Sequence, residues 1–458
     1  MNERRHERAG AGGAISRRDL VRGTAGLAGA ALVGAAGAPR RARAQQPVEI
    51  VFSFAPDDSG SQDNLIAAFN QAHEGRIRVV WREMPRETDA YRQQLESDFL
   101  VESPEIDVIG ADVIWTAPFA YNNWIRDLSG RFYNEYNVAD FLDAAMDSTA
   151  FRNRLWAVPW FSDAGMLYYR RDLLAESGFE RPPHSWDDLK IAALRVKEET
   201  GVPYGLVFQG GQYEGGVTNA LEYIWSAGGR VMTGNIMVAG AFGMGVIDPN
   251  VVTVNSVATA RGLDVARSLI ADGVAPEEVA TFNEQDSLAA FMAGEAVFMR
   301  NWPFAYGVIQ AADDAAITVD QVGLAPIPIT PPGQQSFSCL GGWNLMISAF
   351  SQKVDAAWEF IRFATSPEAQ KRRAIEGGFL PTRHSLYLDP EVREQMPVVE
   401  LAGQIFANTR ARPISPFYPD VSARLAIAFN RVLRGDLTGA QAARRLDGEL
   451  RTIIRASR

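Results

Sequence analysis

The chain has 458 residues, of which 47% are hydrophobic and 22% charged, a composition that excludes a disordered or collagen-like protein. The formal charge of −10 includes a surplus of six positive charges in residues 1–44, so residues 45–458 carry about −16 and disfavour nucleic acid or an anionic membrane surface as the main partner. The single cysteine, Cys339, excludes an internal disulfide, a cysteine-rich zinc site and an iron–sulfur cluster.

Residues 1–44 contain the three parts of an export signal in their usual order. Arg17-Arg18 precedes a weakly apolar run from Gly23 to Gly37, and Ala42–Ala44 offers small residues at a cleavage site. The arginine pair resembles a bacterial twin-arginine signal, and an accidental pair in an arginine-rich chain is the alternative. No cysteine follows the apolar run, so no lipid anchor is expected there. The sequence predicts a protein exported to the periplasm or the extracellular space.

The residues that follow the signal alternate between strand and helix patterns. In chain order they predict a strand at Val48–Phe54, a helix through Leu65 and Phe69 ending at Glu74-Gly75, a strand at Arg76–Met84, a helix at Tyr91–Val101 and a strand at Ile106–Ile109. This βαβαβ order is typical of a parallel sheet with helices on both faces, whose ligand crevice lies at the carboxyl ends of the strands.

A second set of alternating elements begins near residue 156. Short apolar runs predict strands at Met166–Tyr169, Ala296–Met299, Val322–Pro326 and Asn344–Ile347. Helical spacing predicts helices at Arg171–Ser177, Asp187–Thr200, Val257–Ala271 and Gln285–Ala293, and mainly helix beyond Lys353. The sequence therefore predicts two α/β lobes rather than a string of independent domains.

The common catalytic and cofactor motifs are absent. No phosphate-binding loop, zinc-protease helix, serine-hydrolase elbow or EF-hand spacing occurs. His73, His184 and His384 are far apart in sequence, and this spacing does not indicate a catalytic triad or a metal site. The glycine-rich stretch Gly210–Gly216 is predicted to be a loop rather than a phosphate cradle. Neither a cofactor nor a metal is expected.

Aromatic and carboxylate residues recur at the ends of the predicted strands. These candidates are Asp112, Trp115, Asp163, Trp302, Phe304, Gly342 and Trp343. A sugar ring has an apolar C–H face that lies on an aromatic plane, and a rim of hydroxyls that carboxylates and guanidinium groups bind. Each residue also has a structural alternative, since a buried Trp is usually core and Asp112 or Asp163 could cap a helix or turn. Their shared position after strands favours a polyol site.

Five segments give the chain a resemblance to a known family: residues 106–115, 158–170, 299–303, 340–344 and 412–418. They resemble the family-1 extracellular solute-binding proteins of ABC sugar importers, most closely the trehalose/maltose-binding branch. In that branch the positions matching Asp112, Asp163, Trp302, Gly342, Trp343 and Arg412 contact the disaccharide. The chain departs from the pattern at two places. The loop after the first strand offers Gln62 where a Glu is common, and Phe304 replaces a Tyr.

The resemblance implies an α/β fold of the type II periplasmic-binding-protein kind, with each lobe a mostly parallel sheet flanked by helices. Lobe 1 would hold residues 47–160 plus 324–373, and lobe 2 residues 161–323 plus 374–458, joined by hinge crossovers. A sugar would bind between the lobes, which close by hinge motion. The implied partners are a small-molecule sugar and the transmembrane permease subunits of an ABC importer. The protein would be a monomer and not an enzyme.

Two other functions stay open at this point. Asp112 and Asp163 could be the acid and base of a secreted glycoside hydrolase, whose carboxyl groups lie about 5–9.5 Å apart. A two-lobed protein could instead bind a peptide, a polyamine or iron, although the few histidines disfavour iron. Cys339, in an apolar run with no histidine near it in sequence, is predicted to be a packing residue.

Overall fold

The computed structural model describes residues 46–233, 251–312, 315–331, 335–406 and 408–456. The predicted export signal in residues 1–44 lies outside the described residues.

The described strands and helices alternate along most of the chain. The strands are β1 (Val48–Phe54), β2 (Ile77–Glu83), β3 (Val108–Asp112), β4 (Ala150–Phe151), β5 (Arg154–Leu155), β6 (Val158–Ala164), β7 (Met166–Arg170), β8 (Tyr204–Val207), β9 (Met232–Thr233), β10 (Val251–Val252), β11 (Ala296–Asn301), β12 (Val322–Ala325), β13 (Ser338–Ile347) and β14 (Thr409–Arg410). The helices are α1 (Ser61–Ala72), α2 (Thr88–Leu100), α3 (Thr116–Tyr121), α4 (Ser129–Glu135), α5 (Asp143–Asp147), α6 (Arg171–Glu176), α7 (Trp186–Thr200), α8 (Glu214–Ser226), α9 (Val257–Ala271), α10 (Glu284–Met292), α11 (Phe304–Ala311), α12 (Val354–Ala364), α13 (Pro367–Gly377), α14 (His384–Tyr387), α15 (Pro390–Gln395), α16 (Val398–Phe406), α17 (Tyr418–Leu433) and α18 (Gly439–Ala456).

The larger sheet is six-stranded, with the order β14-β13-β3-β1-β2 and β6 also paired with β13. The pairs β1–β2 and β1–β3 are parallel, as the βαβαβ pattern of the sequence predicts, and the pair β13–β14 is parallel as well. The pairs β13–β3 and β13–β6 are antiparallel. β13 pairs with three strands, β3, β6 and β14. A strand from late in the chain therefore lies in the middle of the sheet that contains β1, β2 and β3.

The smaller sheet is four-stranded, with the order β12-β7-β11-β8. Only β11–β8 is a parallel pair, whereas β7 is antiparallel to both β11 and β12. The α/β prediction is confirmed, but this sheet is not mostly parallel. β7 directly follows β6, a strand of the six-stranded sheet, with the single residue Gly165 between them, so the chain passes from one sheet to the other at this point.

Two predicted strands have different boundaries in the structure. The strand predicted at Ile106–Ile109 is β3, which begins at Val108 and includes Asp112 as its last residue. The strand predicted at Asn344–Ile347 is β13, which begins six residues earlier and includes Gly341, Gly342 and Trp343. Glycines usually interrupt a strand, but here a β-bulge between Trp343 and Asn344 accommodates the irregularity.

Three hydrophobic clusters hold the elements together. One packs the six-stranded sheet against helices of its own faces and includes Phe52, Trp160 and Phe360. The second surrounds the four-stranded sheet and α17, and the third joins that sheet to α15 and α16. Residues from Gln46 onward form one compact unit. The exact lobe boundaries given above stay a prediction. No helix in the described ranges combines the length and apolar character that crossing a membrane requires.

Candidate functional site

A cavity of about 520 Å³ is lined by strands of the six-stranded sheet on one side and by helices and loops that adjoin the four-stranded sheet on the other. The six-stranded sheet contributes the ends of β1, β3 and β6 and the middle of β13. The other walls come from the residues after β11, from the first residues of α8 and α10, and from the segment after β14. A separate surface groove of about 910 Å³ lies around Phe179, Ile191 and Ile327 and contains none of the predicted site residues.

Seven of the nine predicted site residues line this cavity: Asp112, Asp163, Trp302, Phe304, Gly342, Trp343 and Arg412. The other two do not. Gln62 is fully buried near the start of α1, and no group in the described part of the chain hydrogen bonds to its side-chain amide. Trp115 is 1% exposed and lies behind Trp343, with ring centroids 5.5 Å apart. Trp115 therefore supports the wall instead of forming it.

Arg412 joins the two sides of the cavity. Its Nη2 donates to Oδ1 of Asp112 at 2.8 Å, and its Nη1 donates to Oε1 of Glu214 at 2.9 Å. Glu214 is the first residue of α8 and also accepts hydrogen bonds from the hydroxyls of Tyr418 and Ser422. Asp112 also caps the 3₁₀ turn Val113–Trp115, because its Oδ1 accepts from the backbone N–H of Ile114. This buried cluster connects β3 with α8.

Asp163 is a carboxylate of the cavity wall with unused hydrogen-bonding capacity among the described residues. It is 9% exposed on β6, and its Oδ1 has no hydrogen-bond partner among the described residues. Burial, reinforced by the charge of Asp112, raises the pKa of Asp163 to about 7, and Arg373, Arg300 and Arg412 oppose that rise. The carboxylate is thus available to accept hydrogen bonds from a ligand, and its ionisation falls in the neutral range.

Trp302 is held in a fixed orientation. The guanidinium carbon of Arg300 lies 4.0 Å from its ring centroid, a cation–π arrangement. Arg300 is itself fixed by two hydrogen bonds to Glu222, at 2.7 and 2.8 Å, and both side chains are buried. On β13, a Cβ added at Gly341 would lie 2.9 Å from the Trp302 ring, so no side chain fits at position 341. A rigid aromatic plane is the result.

Trp343 forms the second aromatic plane. Its ring contacts Phe54 edge-on at 5.0 Å and lies nearly parallel to Tyr91 at 5.9 Å. The hydroxyl of Tyr91 donates to the backbone carbonyls of Ser53 and Gly110, which fixes that ring in turn. Aromatic planes that are held in place by their neighbours lose little conformational entropy when a ligand stacks on them.

Several lining residues were not predicted from the sequence, among them Tyr213, Glu214, Glu284 and Phe379. Glu214 lies in the stretch predicted to be a loop, but α8 begins within it, and the helix is buried along its whole length. Glu284 opens α10, where Asn283 and Asp286 form a capping box. That spacing marks the start of a helix in the sequence. Nothing in the spacing shows that the helix start faces a cavity.

The described residues contain no group of three or more His, Cys, Asp or Glu side chains arranged to hold a metal ion. Cys339 is fully buried in the core around the four-stranded sheet, and burial raises the pKa of its thiol. A buried thiol of this kind is a packing group rather than a nucleophile.

The profile of the bacterial extracellular solute-binding protein family matches residues 53–371. A probable ABC transporter-binding protein of Deinococcus radiodurans is 31% identical over 434 residues, covering 90% of this chain and 96% of that protein. The maltotriose-binding protein of Pyrococcus abyssi is 24% identical over 387 residues, covering 78% of this chain and 77% of that protein. The maltose-bound MalE3 structure of T. maritima is 32% identical, with a TM-score of 0.81, and covers 89% of this chain and 100% of that chain. This likeness confirms the type II periplasmic-binding-protein fold. The chain belongs to the bacterial extracellular solute-binding protein family.

Proposed function

We propose that the chain is the substrate-binding component of an ABC importer and that it captures a neutral saccharide in the cavity. The observation that carries this proposal is the combination of two fixed aromatic planes, Trp302 and Trp343, with the buried charged groups of Asp112, Asp163 and Arg412 in one cavity. The aromatic planes suit the C–H faces of sugar rings, and the charged groups suit their hydroxyls.

A disaccharide such as maltose or trehalose is the substrate we favour. A cavity of about 520 Å³ lies within the range of roughly 300–1,000 Å³ that small-molecule sites occupy. Proteins named for maltose, maltotriose and mannitol binding are among the relatives. The wall residues Gly342 and Phe304 belong to the proposed site on the same grounds, whereas Gln62 and Trp115 would act from behind it.

Capture would involve hinge closure between the two proposed lobes. Arg412 supports this, because its two hydrogen bonds link Asp112 on the six-stranded sheet to Glu214 on α8. A closed form would then deliver the sugar to the transmembrane permease. We also propose that the protein is exported through the twin-arginine signal and that it is a monomer.

Thermal-shift measurements with a saccharide panel test the proposal. The chain without residues 1–44 is melted with maltose, trehalose, sucrose, maltotriose and mannitol, and separately with spermidine as a non-sugar control. A ligand that binds only the native state raises the midpoint according to RT ln(1 + [L]/Kd), which is about 2.7 kcal/mol at a concentration 100 times Kd. We expect a disaccharide to give the largest shift. A panel with no shift, or a shift with spermidine alone, would contradict the proposal.

The hydrolase alternative has one observation in its favour, the raised pKa of Asp163, which suits a general acid near neutral pH. Recovering the bound saccharide after long incubation separates the two functions. A binding protein returns the disaccharide intact, whereas a hydrolase releases monosaccharide.

Affinity should depend on pH through Asp163. Sugar hydroxyls donate to the ionised carboxylate, so binding favours loss of its proton. The affinity should therefore rise as the pH increases from about 5 and level off above the free-protein pKa of about 7. Isothermal titration between pH 5 and 9 measures this profile. The Asp163→Asn variant, which cannot ionise, should bind more weakly and lose the rise, and a rise of unchanged size in that variant would remove Asp163 from the account.

A further inference from the structure

Arg373 is a buried cation without a hydrogen-bond partner among the residues that the structure describes. It lies on α13 and is 2% exposed, and none of its three side-chain nitrogens hydrogen bonds to any group in the described part of the chain. A guanidinium has five N–H donors, and burying them unpaired costs considerable free energy. A residue that adds such a cost is expected to have a compensating function.

The guanidinium of Arg373 packs on three aromatic rings. Its central carbon lies 3.9 Å from the ring centroid of Trp160, 4.3 Å from that of Phe379 and 5.0 Å from that of Phe161. Phe161 and Phe379 line the cavity, and so does Gly377 at the end of the same helix. The cation therefore lies one side chain behind the cavity wall, where it contacts the rings that form the wall.

The charge of Arg373 acts on two carboxylates at the cavity, Asp57 and Asp163. Burial lowers the pKa of Arg373 to about 9, against the opposing effect of these carboxylates, so the side chain is still cationic at neutral pH. The charges of Asp112, Arg300 and Arg412, which lie in three other parts of the fold, also act on Asp163. The charge of Asp163 in turn acts on the hydroxyls of Tyr168 and Tyr387. Three cations favour the ionised form of Asp163. Arg300 is hydrogen bonded to Glu222, and Arg412 is hydrogen bonded to Asp112 and Glu214. Arg373, by contrast, hydrogen bonds to no group among the described residues.

We propose that Arg373 is a positioning residue of the cavity, which favours the ionised form of Asp163 for ligand binding and orients the aromatic wall of Phe161 and Phe379. It does so without touching the ligand. This inference rests on the proposed function, since it assigns the ionised carboxylate to sugar hydroxyls. An Asp163 that lacks this counter-charge would hold its proton at neutral pH and would lose acceptor capacity toward a ligand.

The test is a titration of Asp163 in the ligand-free protein. Carboxyl signals of ¹³C-aspartate-labelled protein are followed against pH, and the Asp163→Asn variant identifies the signal. In Arg373→Met the midpoint should rise by roughly one pH unit or more, because a nearby opposite charge has been removed. Arg373→Lys, which retains the charge, should stay close to the wild-type midpoint of about 7. Arg373→Gln provides a second neutral variant if the Met variant does not fold.

A purely space-filling role predicts a different result. Arg373→Met and Arg373→Gln would then lower the melting temperature but leave the Asp163 midpoint unchanged, and that outcome overturns the proposal. The pH profile of saccharide affinity should move upward by the same interval as the midpoint. If the wild type binds no saccharide, the proposed function fails, but the titration of the free protein still decides whether Arg373 controls Asp163.

Discussion

Replacing Trp343 by alanine should abolish most of the saccharide-induced thermal shift. The substitution removes one of the two aromatic planes, and we expect it to cost about 2–3 kcal/mol of binding free energy, or roughly a 30- to 150-fold rise in Kd. The unliganded melting temperature should fall as well, because Trp343 packs on Phe54, Tyr91 and Trp115. Isothermal titration with the best saccharide measures the affinity directly.

Two control variants separate the loss of the plane from general destabilisation. Trp343→Phe keeps an aromatic ring and should retain a large part of the affinity. Trp156→Ala changes the same residue type at a partly buried position that does not line the cavity. That variant should melt earlier yet bind normally. A Trp343→Ala protein with wild-type affinity would show that the saccharide does not stack on this ring.

Gly342→Ala should destabilise the folded protein by about 3 kcal/mol, which for a chain of this length corresponds to a fall in melting temperature of about 3–4 °C. Gly342 has φ of +117°, a conformation that residues with a side chain rarely adopt. A Cβ there would also lie 2.5 Å from the carbonyl oxygen of Phe161 and 2.7 Å from the Cα of Ser162. Both neighbours are backbone atoms of β6, so relief requires moving the strand that holds Asp163.

The matched control is Gly130→Ala. Gly130 lies in α4, and a Cβ added there meets no atom within 4 Å. Because alanine has the higher helix propensity, this variant should melt at or slightly above the wild-type temperature. Equal melting temperatures for Gly342→Ala and wild type would show that β13 and β6 are not packed as closely as described.

Local sequence patterns predicted the elements well and the contacts between them poorly. Val257–Ala271 is predicted and found with the same boundaries, because regular apolar spacing defines both ends of the helix. By contrast, Arg412 hydrogen bonds to residues 198 and 300 positions away in sequence. No local pattern carries information about such partners, so Glu214 was missed although Asp112 and Arg412 were both identified.

The side of a strand or helix that a residue faces is the second limit. Trp115 follows β3 and Trp343 lies within β13, and both strands reach the cavity, yet only Trp343 lines it. Trp115 lies in a single 3₁₀ turn after Asp112, and that turn directs its ring into the core. Arg373 was missed for a related reason, since an arginine that follows Lys371 and Arg372 in a polar helix is typical of an exposed surface, and only the packing of α13 shows that it is buried.

The central claim is that one saccharide is held between the six-stranded sheet and the opposite wall, which includes the start of α8. Hydrogen exchange of the backbone amides, with and without the saccharide that gives the largest thermal shift, tests it most directly. The account predicts slower exchange in the ligand-bound protein at two separate places, around Gly341–Trp343 of β13 and around Tyr213–Gly215 at the start of α8. Protection confined to one of these places, or found instead around the groove at Phe179 and Ile191, would contradict it.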